Sequence, residues 1–404
     1  MRRAWATNLV IVSIGVMLFC IVNLRSGRIE ANDGLGWDGR QYAHMVTGRL
    51  NDGTVPTQTR PLLPLLTRVP HAAGLDVIPA FQVVNLLAAA VLYFFLCRIL
   101  DLHRVAAVYK AYFVATVALC IATAKMSAFY PTQIDLGALA IMSASTYVVL
   151  TRSGPVAGGA VLLAVTAREF GVALAFLGFH REVRQGRGVV RALFTYAPAV
   201  GAMLLLRQWA NATNAGDHRP LISAAGYLAN LALWRDPAFV AFFGYFSLTL
   251  LGGVTALFVL RPLWLARTLT ATPELITGAL IVVAAAVVGN ADIWRYLVFL
   301  LPVLTVLFGV YVRDHQPRPM LLFAALLFTV VTQQPFSRMD MTSYFSQWFP
   351  AYVSGTDDAT ETFWFAWRNQ FLVAGAGLAA LGMLQRLRPT PSEAATATSA
   401  NTES

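Results

Sequence analysis

GPVAGGAVLLAVTAREFGVALAFLGF, residues 154–179, decides how this chain is arranged. It is apolar on both sides of a central pair, Arg168-Glu169. As one helix it would cross the roughly 30 Å of a bilayer's hydrocarbon with that pair inside it. As two half-helices it would turn at Arg168-Glu169 and come back. The charges outside the stretch choose between the two. Arg2, Arg3, the loop from Arg98 to Lys110, and Arg152 come before it. Arg181, Arg184, Arg187 and Arg191 follow it, and Arg261, Arg267, Arg313, Arg318, Arg386 and Arg388 punctuate the remainder. A single crossing puts these groups on opposite sides. A hairpin keeps them all on one side, which is the bias of cytoplasmic loops for Lys and Arg. The expectation is a short re-entrant hairpin turning near Arg168.

Composition agrees. Of 404 residues, 57% are hydrophobic and 12% are charged, about half the charged share of soluble domains. Apolar runs recur at about 5–24, 81–100, 105–124, 133–151, 189–206, 239–260, 273–289, 295–312, 319–333 and 369–385. With the hairpin they predict an all-α polytopic membrane bundle over 1–388, with roughly 10–12 membrane segments, some too short to cross fully. The first run is long for a signal peptide and no A-x-A site follows it, so it reads as a retained span. Both termini then lie in the cytoplasm, and the loops 25–80, 207–238 and 333–367 face the periplasm of a bacterial plasma membrane. The Ala/Thr/Ser-rich tail 389–404 reads as a disordered cytoplasmic segment. The net charge of +10 is spread in short clusters between apolar runs, which topology accounts for without nucleic acid. Cys20, Cys97 and Cys120 all sit in apolar segments, with no C-x-x-C, so neither a disulfide framework nor a zinc site is expected. The six histidines lack metal-ligand spacing. No cofactor is expected, and a divalent ion bridging a carboxylate and a phosphate stays open.

The first outward loop carries the densest chemistry. After Trp37-Asp38-Gly39, the residues Tyr42, Met45, Val46 and Arg49 fall at helical spacing. Asp38 stands where a helix N-cap would, or else at the mouth of an interfacial helix as a functional carboxylate. Further on, Arg60-Pro-Leu-Leu-Pro-Leu-Leu-Thr-Arg68 is an apolar segment framed by arginines. Its prolines suit a helix start, and Arg60 there either reaches a phosphate or snorkels at the interface.

These residues resemble the GT-C superfamily of polyprenyl-phosphate-sugar glycosyltransferases. The likeness rests on a Trp-Asp pair soon after the first span, then Tyr42, then R-x-L-x-P-L-L from Arg60. It is nearest to the mannosyltransferases of GPI-anchor assembly and their bacterial relatives. Tyr130-Pro-Thr-Gln-Ile-Asp135 is similar to the Asp-containing start of a fourth span in that superfamily. Gly158 to Gly171 resembles the hairpin of protein O-mannosyltransferases and aminoarabinose transferases. Arg295-Tyr296 followed by Pro302 resembles a late R-Y-x-x-x-x-x-P segment.

The resemblance implies an inverting transfer of mannose or a similar sugar from a polyprenyl-phosphate donor to a lipid, glycan or protein acceptor. The acceptor hydroxyl needs a base, for which Asp38 is expected and Asp135 is the alternative. The leaving phosphate needs cations, for which Arg60, Arg168 and Arg295 are expected. The alternative for Arg168 is an ion pair with Asp135, and for Arg295 one with Asp292. Glu169 leaves the helical face of Arg168 and is expected to orient the hairpin. Tyr42 and His44 are candidates to touch the sugar. The rival readings are a transporter or flippase of lipid-linked sugars, a non-catalytic scaffold, and a ligase using diphosphate-linked glycans.

Overall fold

The computed structural model describes residues 2–49, 55–213, 233–235, 237–288, 293–339 and 357–386. All regular structure among them is helical. Residues 214–232 of the loop 207–238, residues 340–356 of the loop 333–367, and the tail 389–404 lie outside the described residues.

The helices are α1 (Arg2–Arg25), α2 (Trp37–Val46), α3 (Val55–Gln58), α4 (Leu62–Ala72), α5 (Val77–Leu102), α6 (Ala107–Leu119), α7 (Met126–Phe129), α8 (Asp135–Thr151), α9 (Pro155–Ala167), α10 (Val172–Arg184) and α11 (Val189–Thr213). They continue with α12 (Pro237–Thr249), α13 (Gly253–Val259), α14 (Pro262–Ala271), α15 (Pro273–Val288), α16 (Ile293–Leu297), α17 (Leu301–His315), α18 (Pro319–Gln333) and α19 (Asp357–Arg386). Four helical stretches, Ala4–Arg25, Val77–Leu102, Val189–Thr213 and Arg295–His315, are long and apolar enough to cross a membrane. Two bent pairs raise the number to six, and shorter apolar helices fill in between.

The turn at Arg168 is a hairpin. A 3₁₀ turn, Glu169–Gly171, joins α9 to α10. The two helices run back so that the first residues of one meet the last of the other. The Gly154 N–H donates to Glu182 Oε1 at 3.0 Å, and the Tyr196 hydroxyl donates to the same oxygen at 3.3 Å. Each arm has 13 residues, about 20 Å at 1.5 Å per residue, which is short of a full crossing. Both arms pack against α11, α9 also against α8, and α10 also against α15.

The bundle therefore has two chemically different ends. At one end the starts of α1, α6, α9 and α15 meet the ends of α5, α8 and α10. Lys110 donates to Asp101 and to Asn8, each at 2.7 Å. Arg98 lies over the rings of Trp5 and Tyr147, Arg181 donates to the last carbonyls of α8, and Arg184 pairs with Glu274 at 2.7 Å. The hairpin tip and the first residues of α8 and α16 point the other way. On that same side α11 ends, with Thr213 bonded to Gln58 of α3 at 3.2 Å. Between the ends, large apolar side chains such as Leu9, Met17, Leu87, Phe194, Leu205 and Phe323 stay exposed. Exposure on this scale marks a surface that contacts something apolar.

Several expected spans are reshaped. The run 105–124 is not one helix: α6 stops at Leu119, Cys120 is extended, and a π turn (Ile121–Lys125) leads into α7 with a bend of 49°. Gln333 explains how the break is tolerated. Its side-chain oxygen accepts from Ile121 N at 3.0 Å, and its amide donates to Thr249 O at 2.6 Å. Backbone groups freed from the helical ladder thus find partners inside the protein. The run 239–260 likewise breaks at Gly252, and α13 meets α14 at 91°. α11 runs on to Thr213, further than the apolar run alone indicates.

Gly171 closes the hairpin. A side chain there would strike the backbone of Ala164 and Val165. Gly171→Val is therefore expected to cost about 1–3 kcal/mol through overpacking, read as a lower melting temperature in detergent. An unchanged melting temperature would count against this closure.

Candidate functional site

The site lies where α2, the segment 130–135, the hairpin tip and α16 converge. Two glycines bring α2 there. Gly36, at φ +69°, is the residue before α2, and a Cβ on it would run into the Tyr130 ring. A Cβ on Gly39 would overlap Thr132. Without side chains at these two positions, the first turn of α2 settles onto Tyr130 and Thr132. The contact is sealed by Gly39 N donating to the Tyr130 hydroxyl at 3.1 Å and the Thr132 hydroxyl donating to Leu35 O at 2.7 Å. Asn85 on α5 holds the same segment from behind by donating to Pro131 O at 2.7 Å.

Asp38 is placed by this docking. It sits within the first turn of α2 with Gly36 as the cap residue, and no side chain caps the helix. Of the two readings of Asp38, the N-cap is not realised: the backbone turn at Gly36 starts the helix. The carboxylate is 44% exposed and lies 3.9 Å from Arg295 Nη2. Arg295, on α16, also donates through Nε to Asp135 Oδ2 at 3.0 Å. Asp135 in turn pairs through its other oxygen with Arg168. Arg168 is 1% exposed, the bulkiest sealed side chain among the described residues, with its guanidinium over Phe299 and Phe170.

The second half of the site hangs on Arg60. Its Nε donates to Glu169 Oε2 at 2.8 Å, Nη2 meets Oε1, and Nη1 faces the Tyr42 hydroxyl at 3.4 Å. Tyr42 is buried on α2 with Met45 and Val46, as the helical spacing predicts. Arg49 falls outside the pattern, because α2 ends at Val46. His44 is half-buried on the same helix. Burial pushes the Tyr42 phenol up, so it stays neutral. The Glu169 carboxylate is the partly exposed member of its pair with Arg60.

Three guanidiniums thus face three carboxylates: Arg60, Arg168 and Arg295 against Asp38, Asp135 and Glu169. The structure brings Asp38, Tyr42, Arg60, Asp135, Arg168 and Arg295 into one linked cluster. It distributes them unequally. Asp135, the alternative base, is enclosed between two cations, so its place is that of a counter-ion, and the Arg168–Asp135 pairing is realised. Asp292, the alternative partner of Arg295, lies outside the described residues. Glu169 and Tyr130 join the site through contacts that no local pattern announces. Among the described residues no group of three or more His, Cys, Asp or Glu is placed to hold a metal ion.

No protein-family model matches the chain, and comparison with curated proteins and with solved structures returns no match.

The cluster separates structural from exposed carboxylates. Asp135→Asn strands two buried guanidiniums and is expected to cost about 3–5 kcal/mol. Asp38→Asn, at a half-exposed position, is expected to stay within about 0.5 kcal/mol of the parent. Unfolding in detergent compares the two directly, and equal losses would contradict the assignment.

Proposed function

We propose that this chain is an integral-membrane glycosyltransferase of the GT-C kind. It moves a sugar such as mannose from a polyprenyl-phosphate carrier to a lipid, glycan or protein acceptor. The observation that carries the reading is a half-exposed carboxylate, Asp38, beside buried arginines at one end of an apolar helical bundle. The opposite end holds most of the remaining basic contacts, which favours a cytoplasmic placement for it. The Asp38 end then faces the periplasm of a bacterial plasma membrane.

Each group has a task in this scheme. The acceptor hydroxyl attacks the anomeric carbon and its proton passes to Asp38. A positioned base contributes about 10²–10⁴ in rate. The carbon–oxygen bond to phosphate breaks with its electron pair going to the phosphate. Arg60 and Arg295, the two arginines paired with partly exposed carboxylates, meet the phosphate charge. Arg168, sealed against Asp135, fixes the hairpin tip, whose Glu169 holds Arg60. Negative charge at Asp38 also favours an oxocarbenium-like transition state. The polyprenyl chain stays in the lipid alongside the bundle.

The broken helices α6–α7 and α13–α14 favour a second reading, transport of a lipid-linked sugar, since discontinuous helices line substrate paths in transporters. Transport calls for a site near the midplane, whereas this cluster stands at one end. Sugar transfer in detergent micelles, with no second compartment, separates the two. The purified wild type is expected to transfer sugar there. Asp38→Asn is expected to lose at least a hundredfold in rate while retaining its elution volume and melting temperature. Full activity of that variant would end the assignment of Asp38 as base.

A further inference from the structure

The three arginines differ in how their negative partners are placed. Arg168 and Asp135 are both sealed, at 1% and 8% side-chain exposure, so no ligand oxygen reaches them without unpacking the hairpin. Arg60 is different. Its side chain is 8% exposed, but the Glu169 carboxylate covering it is 37% exposed. The pair meets edge to edge through Nε and Nη2, the two-point fork with which a guanidinium also grips two phosphate oxygens. Glu169 belongs to the short 3₁₀ turn at the hairpin tip, so its carboxylate is tethered beside the site and is the more exposed member of the pair.

Resting on the transferase reading, we propose that Glu169 is a built-in substitute for the donor phosphate. Its carboxylate occupies the Arg60 fork in the empty site, gives way to the incoming phosphate, and returns to displace the product. The charges explain why such a device is useful. The donor is a phosphodiester with one negative charge. Transfer joins the acceptor oxygen to the anomeric carbon, passes the acceptor proton to Asp38, and leaves a phosphomonoester whose second proton has a pKa of about 6. The site must therefore release a more strongly charged anion than it took up. A carboxylate attached a few ångströms away competes at high effective concentration and speeds that release.

The sign of one measurement decides. Full-length protein in lipid nanodiscs is titrated with a polyprenyl monophosphate, and product inhibition is measured in the transfer assay. Glu169→Gln removes the competing charge and is expected to bind the monophosphate about fivefold more tightly, with stronger product inhibition. Glu169→Asp, too short to fill the fork, is expected to shift the same way by less, and it serves where the Gln variant fails to fold. Arg60→Gln is expected to lose binding. If the wild type binds and both Glu169 variants bind equally or more weakly, Glu169 merely positions Arg60 and the proposal is overturned, with the transferase reading intact. If the wild type binds no polyprenyl phosphate, the transferase reading itself has failed and takes this proposal with it.

Discussion

One carboxylate, Asp135, answers two guanidiniums, and one end of the bundle is assembled around it. Arg168 comes from the hairpin tip and Arg295 from α16, so the first residue of α8 links three separate parts of the chain. Each buried ion costs several kcal/mol of desolvation. Such a triad persists only where geometry is good and nearby groups add to it. Here the Phe170 and Phe299 rings lie against Arg168, and the Arg295 guanidinium reaches onward to Asp38. What this arrangement secures is register. The hairpin cannot slide along α8 without stranding Arg168.

The hairpin itself was legible in the sequence because its cause is global. Arginines flank nearly every apolar run, and only one topology puts them together, so the sign of charge far from residue 168 was enough to fold the chain back there. The break in α6 was not legible, because the group that supports it is a single distant side chain. Gln333 reaches Ile121 from 212 positions away. Nothing in the run 105–124 contains a proline or glycine to announce that its ladder is interrupted. The start of α2 is set by a different local feature from the cap weighed at Asp38. Asp38 has the chemistry of a cap, but Gly36 at φ +69° already turns the backbone into the helix, leaving the carboxylate available for other contacts.

For the site, the residue types were legible and their partners only in part. Asp38, Arg60, Arg168 and Arg295 stood out as charges at the edges of apolar runs, where a polar group is expensive unless it has a task. The pairing of Arg168 with Asp135 was weighed as an alternative and is the arrangement found. The pairing of Arg60 with Glu169 was not weighed, since the two residues are 109 positions apart and join a surface loop to a hairpin tip. Glycines 36 and 39 act through close approach, which no local pattern in the sequence announces. Their importance lies in what they lack: with no side chain on either, α2 comes close enough for Tyr130 to receive its backbone N–H.

The arms of the hairpin carry a last implication. Leu163 and Phe176 on its flank are about half exposed, and the arms reach only about 20 Å. In a bilayer this flank is shorter than the acyl layer beside it, whereas α1, α5 and α11 are not. Lipids there must compress or tilt to meet it, at a fraction of a kcal/mol per ångström. Acyl-chain length thereby becomes a mechanical load on one side of the molecule. The strain is relieved in thin membranes and grows with thickness at the very element that carries Arg168 and Glu169.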